Sequence, residues 1–457
     1  EARAQQLASR DPLTGFLNRR SIAEEGASLF AKAGKRGKVM AMLMLDLDHF
    51  KSVNDMHGHS VGDALLKQVA KEITEAVPSN ALTARLGGDE FACAFLFDAD
   101  HPDTVERVAE RLVASMSRPF DAEGTRCTIS CSLGLARSDA DAAGIDTLMR
   151  SADIAMYAAK RAGRNRWAWF EAAMERELTA RNELESGLRA GIPRGEIVPY
   201  FEQQVNLASG RLEGFEVLAR WQHPTHGLIP PSQFIRIAEE TGLIADLSMS
   251  LMRPAFSAAR DWNADLTVAV NISPWQLRDA WLAQQIIKLL TETGFPASRL
   301  EIEITETALF ENLALAQSTI GSLKNQGVRV ALDDFGTGYS SLAHLRALPF
   351  DRIKVDRSFI ISMNESQDSA AIVNAIARMC DSLNLPVTAE GVEDSAIEER
   401  LRAIGISRAQ GWTYGKPLSV AGVRRLLADR RLLAPEGRRA LRHDNSPVDA
   451  TTKRYAG

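Results

Sequence analysis

The chain has 457 residues, 45% of them hydrophobic and 25% charged, with a formal net charge of −5 at pH 7. That length exceeds one ordinary core and predicts two domains, while the acidic balance argues against a general nucleic-acid binder. No apolar run approaches the roughly 20 residues that span a bilayer, and no signal-peptide pattern is read. Cys93, Cys127, Cys131 and Cys380 form no CxxC pair. They predict reduced core thiols in a cytosolic protein and exclude a zinc site.

Residues 1–10 read as the end of an upstream signalling helix. With no initiator Met, a missing sensory or membrane region is expected before them. The segment 11–170 alternates irregularly. Helices are predicted over 21–33, 62–76, 105–116 and 145–162, and strands over 39–47 and 128–136. Strands over 82–86 and 91–97 flank Gly87-Gly88, a hairpin signature. This order predicts an α+β sheet domain. A charged helical linker follows over 171–190.

The segment 191–433 alternates regularly. Strands are predicted over 198–205, 214–220, 267–271, 300–305, 329–333, 352–355, 387–390 and 408–411. Helices are predicted over 231–241, 279–293, 313–326, 370–383 and 395–404. Eight strands joined mainly by helices predict a (β/α)8 TIM-barrel-like domain. Ala208-Ser209-Gly210 marks a turn between the first two strands, so one strand is expected to run antiparallel. The tail 434–457 has no periodicity and is expected to be disordered.

In a barrel of this kind all strand C-termini meet at one mouth. The strand ends carry Glu216, Asn271, Glu303 with Glu306, Asp333 with Asp334, Lys354 with Asp356, Glu390 with Glu393, and Gln410. An acidic turn after one strand is common; recurrence at six strands is what points to a site. So many carboxylates together demand positive charge, and an all-oxygen set suits Mg²⁺ or Mn²⁺. Two such ions, bridged by Asp333, would activate water for in-line attack on phosphorus, with Lys354 orienting it. Arg220, followed by Trp221, offers a phosphate contact and a base-stacking face.

Glu216-Val217-Leu218-Ala219-Arg220-Trp221, Asn271-Ile272-Ser273, Glu303-Ile304-Thr305-Glu306, Asp333-Asp334-Phe335-Gly336-Thr337-Gly338, Lys354-Val355-Asp356, Glu390-Gly391-Val392-Glu393 and Gln410-Gly411 resemble the EAL-domain cyclic di-GMP phosphodiesterases. The resemblance implies a two-metal barrel that linearises cyclic di-GMP to pGpG. It assigns Glu216, Asn271, Glu303, Asp333, Asp334 and Glu390 to the metals, and places Lys354 and Gln410 at the water and around the ligands. Glu306, Asp356 and Glu393 support the site, and the loop 334–341 helps form a dimer interface. In Tyr200-Phe201-Glu202-Gln203-Gln204-Val205, Glu202 stands where the family usually has a substrate-facing glutamine. That departure is expected to weaken binding of an anionic dinucleotide. The motif Glu-Val-Leu replaces Glu-Ala-Leu and leaves Glu216 in place.

In the first half, Gly87-Gly88-Asp89-Glu90-Phe91 puts two glycines and two carboxylates at a hairpin tip, and glycine permits positive φ and close ligand approach. Asp46-Leu47-Asp48 ends a buried strand, again with a carboxylate where a metal could be held. Asn54 and Asp63 are an amide and an acid able to read a guanine edge, and Lys51, Lys160 and Arg164 offer positive charge to a triphosphate. These segments, with Asp11-Pro12-Leu13-Thr14-Gly15-Phe16-Leu17-Asn18-Arg19-Arg20, resemble the GGDEF diguanylate cyclases, a nucleotidyl-cyclase-like fold. The resemblance implies that Asp46 and Asp89 or Glu90 hold Mg²⁺, and that Asn54 and Asp63 read guanine. It also implies that two GTP-loaded copies must meet as a homodimer. Pro78-Ser79-Asn80-Ala81 replaces the inhibitory Arg-x-x-Asp of many cyclases, so product inhibition there is not expected.

The sequence thus predicts a tandem GGDEF–EAL enzyme of cyclic di-GMP turnover, binding GTP and cyclic di-GMP but no nucleic acid. The alternatives are a phosphodiesterase whose first domain is a GTP-binding activator, and a non-catalytic receptor.

Overall fold

A computed structural model describes residues 9–35, 37–140, 142–311, 313–336 and 348–434. The expected tail, most of the 1–10 helix and most of the 334–341 loop lie outside these residues. The chain divides into two compact units, 1–182 and 183–457, each with its own core. Among the described residues no helix is long and apolar enough to cross a membrane, and the four cysteines are buried and unpaired.

The first unit is built on a five-stranded sheet in the order β2-β3-β1-β6-β7. Its strands are β1 (Val39–Asp48), β2 (Leu82–Gly87), β3 (Glu90–Phe97), β6 (Ser130–Arg137) and β7 (Arg166–Trp169); β4 (Phe120–Ala122) and β5 (Thr125–Cys127) form a separate small hairpin. β1 is buried along its whole length because both faces are covered. Leu43, Leu45 and Leu47 point into one apolar cluster and Met40, Met42 and Met44 into another. The helices are α1 (Arg19–Lys35), α2 (Phe50–His57), α3 (His59–Ala76), α4 (Asp103–Met116) and α5 (Ile145–Arg161). Helix α2 and strand β7 were not predicted. The expected hairpin is present, with Gly87 at φ 146° and Gly88 at φ 51°, values that suit glycine. Helix α6 (Ala172–Gly191) occupies the expected linker.

The second unit is an eight-stranded barrel: β8 (Ile197–Asn206), β9 (Leu212–His223), β10 (Thr267–Ile272), β11 (Leu300–Thr305), β12 (Arg329–Phe335), β13 (Arg352–Val355), β14 (Val387–Ala389) and β15 (Arg408–Gln410). β15 closes onto β8, and β8 runs antiparallel to both neighbours while the others are parallel. The expected turn is the reason. Asn206 caps it by accepting from the Ala208 and Ser209 amides, returning the chain beside itself. Alternation sets the two faces. Val217, Val270, Ile302, Ile304, Leu332, Ile353 and Val355 face outward into one apolar cluster, beneath helices that include α7 (Pro231–Glu240), α8 (Ile244–Ala259) and α9 (Leu282–Thr293). The intervening positions turn inward, and many are polar: Glu216, Glu301, Glu303, Lys354, Arg408 and Gln410 are all buried. A TIM-type interior is usually filled by branched apolar side chains, so a charged filling concentrates the unusual chemistry of this chain inside the barrel.

Candidate functional site

At the barrel mouth Lys354 is fully buried, and its Nζ sits among four carboxylates. It lies 2.6 Å from Glu303 Oε2, 2.6 Å from Glu390 Oε1, and 3.4 Å from both Glu216 Oε2 and Asp333 Oδ2. The four acids come from β9, β11, β12 and the end of β14, so the barrel itself assembles them. Glu216 is further held by Asn271 Nδ2 and Gln410 Nε2, each at 2.5 Å. Asp333, Asp334 and Glu390 bring carboxylate oxygens within 4.8 Å of one another. Asp334 adopts a left-handed φ of 55°, an uncommon backbone state for a residue other than glycine.

The electrostatics follow from this crowding. Burial, then the surrounding acids, push the Glu303 and Glu390 carboxyls well above their ordinary range, although Lys354 pulls the other way. Asp333 is raised for the same first reason. Asp334 is pushed up to about 6, by burial and then by Asp333 and Asp356. Burial also raises Glu216, but Lys354 and the bonds from Gln410 and Asn271 outweigh it and leave this carboxyl below its usual range. Burial opposes the charge on Lys354, yet its acidic neighbours hold the ammonium well above the ordinary lysine range. The residues fit a divalent cation. Carboxylates outnumber the single ammonium, every donor is oxygen, and the buried Glu303 Oε1 has no hydrogen-bond partner.

Glu202 and Gln410 line the same cavity as Glu216, Asp333, Glu390 and Glu393. Asp356 caps helix α10 (Arg357–Ser362) through the Ser358 amide, and Glu306 is buried near the end of β11. Arg220 lies half-buried with its guanidinium 5.5 Å from the Tyr200 ring centroid. The expected base-stacking face on Trp221 is corrected. Trp221 is fully buried, packs edge-on against Phe234 and donates Nε1–H to Glu196 Oε2 at 3.0 Å. It is one residue out of phase with the inward Glu216 and Arg220, so it faces the helices. The exposed aromatic on the cavity wall is instead Trp412, 58% exposed, with Lys416 Nζ 5.5 Å from its ring centroid. Sequence reading passed over it, although it follows Gln410-Gly411 directly.

In the first unit Asp46 pairs with Lys160 Nζ at 2.7 Å. Its carboxyl is raised, first by burial and also by the nearby Asp89 and Glu90. Glu90 meets Arg19 at 3.2 Å. Asp48 accepts from Ser130 Oγ, Ser132 Oγ and the Asn165 amide, tying β1 to β6 and the turn after α5. The Asn54 side chain lies against Gly62, where a Cβ would sit 1.9 Å from Asn54 Oδ1. Asp63, Lys51 and Arg164 are exposed, and a Cβ on Gly87 or Gly88 would meet open space.

Two family models match the chain: "Diguanylate cyclase, GGDEF domain" over 8–166 and "EAL domain" over 185–417. An uncharacterized signaling protein of Caulobacter vibrioides is 40% identical over 420 residues, covering 92% of this chain and 52% of the relative. The bifunctional diguanylate cyclase/cyclic di-GMP phosphodiesterase MucR of Pseudomonas aeruginosa is 37% identical over 417 residues, covering 90% of this chain and 61% of MucR. The chain therefore spans about half to three fifths of the length of these relatives. The solved MucR phosphodiesterase in complex with cyclic di-GMP is 36% identical, with a TM-score of 0.51, covering 53% of this chain and 99% of that one.

Proposed function

Because the chain belongs to the tandem GGDEF–EAL family, we propose that its barrel hydrolyses cyclic di-GMP to pGpG and that its first domain condenses two GTP into cyclic di-GMP. The observation that carries the hydrolase reading is Lys354, buried among Glu216, Glu303, Asp333 and Glu390 at the barrel mouth. A receptor with no chemistry to perform has no reason to keep such a costly cluster.

Glu216, Asn271, Glu303, Asp333, Asp334 and Glu390 would hold two Mg²⁺ or Mn²⁺ ions. When bound, these supply Lewis acidity toward the phosphodiester and lower the pKa of the attacking water. Lys354 offsets the charge of its four carboxylates and is placed to orient water toward phosphorus. Gln410 and Asn271 fix the Glu216 carboxylate, and an oriented ligand binds at a lower entropic cost. Trp412 offers its exposed face to a guanine, and Arg220 and Lys416 offer charge to phosphates.

In the first domain Asp46, Asp89 and Glu90 would hold Mg²⁺ with GTP, while Asn54 and Asp63 read guanine. Lys51, Lys160 and Arg164 would then meet the triphosphate. Each copy carries half of that reaction, so a homodimer is required for synthesis. The ion pair of Asp46 with Lys160 favours a second reading, in which this domain binds GTP and only activates the barrel.

The test is to incubate the purified chain with Mg²⁺ and either cyclic di-GMP or GTP, and to resolve the nucleotides by chromatography. Conversion to pGpG that disappears in Glu216→Ala supports the hydrolase. Cyclic di-GMP made from GTP by that same variant supports the cyclase. No pGpG from the parent chain would sink the hydrolase reading.

A further inference from the structure

Beneath the mouth a second layer of inward polar residues runs from the barrel floor to Glu216. Arg408 Nη1 donates to Gln204 Oε1 at 3.0 Å, and Gln204 Nε2 donates to Gln410 Oε1 at 3.2 Å. Gln410 Nε2 then donates to both Glu216 Oε2 and Glu202 Oε2, each at 2.5 Å. Arg408 is itself anchored by Glu213 at 2.9 Å and Glu301 at 3.6 Å. Arg408, Gln204 and Gln410 are 3%, 1% and 3% exposed, so water cannot readily replace a missing partner.

Every link has a direction. A guanidinium only donates and carboxylates only accept, so each end of the chain dictates which way an amide must point. Arg408 turns Gln204 Oε1 toward itself, which leaves Gln204 Nε2 to face Gln410. That donor turns Gln410 Oε1 inward and leaves both Gln410 hydrogens for the two carboxylates. An inverted Gln410 amide would set its oxygen against the Glu216 and Glu202 oxygens and remove a donor from each. The placement follows from the strands. Gln204 and Gln410 are register partners across the antiparallel β8–β15 seam, and Arg408 and Glu202 lie two residues away on the same inward faces.

We propose that Gln204, set by Arg408, is a positioning residue: it fixes the amide orientation of Gln410 and thereby holds Glu216 ready for a divalent cation. This rests on the reading of Glu216 as a metal ligand. Gln204 touches neither the cation nor the dinucleotide; it acts through Gln410.

The test measures Mn²⁺ binding by electron paramagnetic resonance, taking the component abolished in Glu216→Ala as the barrel site, alongside hydrolysis of cyclic di-GMP. Gln204→Leu should weaken that component by about tenfold, within the 10–100-fold typical of an outer partner. In a Gln410→Ala background the same substitution should cost less than about twofold, since the route is already cut. Gln204→Glu is the second variant should the leucine variant melt early. It is isosteric and keeps the Arg408 contact, but at neutral pH it has no N–H for Gln410. It too should weaken Mn²⁺, although its added negative charge alone would strengthen it. Wild-type affinity in these variants, or an equal loss without Gln410, overturns the proposal. If the Mn²⁺ pattern holds while the parent chain makes no pGpG, the hydrolase reading fails and the relay stands.

Discussion

Glu202 and Glu216 stand directly opposite one another across the β8–β9 seam, two carboxylates in register on adjacent antiparallel strands. Like charges so placed destabilise a sheet pair. The two hydrogens of the Gln410 amide relieve it by bonding one oxygen of each. Burial first, then the Glu216 charge against the Gln410 bond, leave the Glu202 carboxyl raised. A glutamine at 202 would keep the Gln410 contact and remove one negative charge from a cavity expected to take an anionic dinucleotide. Glu202→Gln should therefore lower KM for cyclic di-GMP by about three- to tenfold, on the order of 1 kcal/mol of relieved repulsion. Its kcat should stay within about twofold, since the change alters ground-state and transition-state binding alike. Steady-state kinetics decide it; an unchanged or higher KM would show that Glu202 does not face the substrate.

Trp412 is the aromatic face that sequence reading assigned to Trp221. Stacking of one base on an exposed aromatic contributes about 1–3 kcal/mol. Trp412→Ala should accordingly raise KM by at least about fivefold with little change in kcat, and Trp412→Phe should restore most of the loss. Trp221→Phe should instead lower the melting temperature, because Trp221 packs the wall of the barrel and bonds Glu196. If the alanine variant binds cyclic di-GMP as the parent does, the base lies elsewhere in the mouth.

That contrast marks where local pattern stops being informative. The strands over 300–305 and 352–355 were legible to the residue, because inward charge and outward β-branched side chains alternate over 301–304 and 352–355. Helix α8 was not, because Pro254 breaks the helical pattern although Leu251, Met252, Ala255 and Phe256 around it are all buried. The acids at the strand ends were legible because one topology sends them all to one mouth. The phase of Trp221 was available from period-2 alternation against Glu216, but adjacency to Arg220 obscured it. The Arg408–Gln204–Gln410 chain was beyond reach, since it joins residues some 200 positions apart. Nor does a motif show whether Asp46 faces a metal or the Lys160 ammonium.

The acidity of the mouth predicts an inversion with metal. In the folded chain the Asp334 carboxyl is pushed up to about 6, first by burial, against about 3.9 when unfolded. The native state therefore holds the additional proton between about pH 4 and 6, and metal-free stability falls as pH rises through that window. Glu303 and Glu390 are raised in the same direction. Cation binding needs the ionised carboxylates, so affinity rises with pH over the same range. In the presence of a chelator, the barrel should melt at a higher temperature near pH 5 than near pH 7.5. Saturating Mg²⁺ should reverse the order, stabilising most at the higher pH. Calorimetric melts at the two pH values, with and without Mg²⁺, check this. A chelated protein that is more stable at the higher pH would contradict it.

In the first domain the Asp46–Lys160 pair would make a bound metal and a bound nucleotide interdependent. A cation reaching Asp46 would compete with the Lys160 ammonium, 2.7 Å from Asp46 Oδ2. A triphosphate that draws Lys160 to itself would free Asp46 at the same moment, so each ligand should favour the other. Lys160→Met removes both the competitor and the phosphate contact. It should raise Mn²⁺ affinity without nucleotide, lower GTP affinity, and abolish a coupling expected at about fivefold or more. Mn²⁺ titrations with and without GTP, in a Glu216→Ala background that silences the barrel, measure all three. Were Lys160→Met to weaken Mn²⁺ in the absence of GTP, the lysine would be supporting the metal site instead of competing with it.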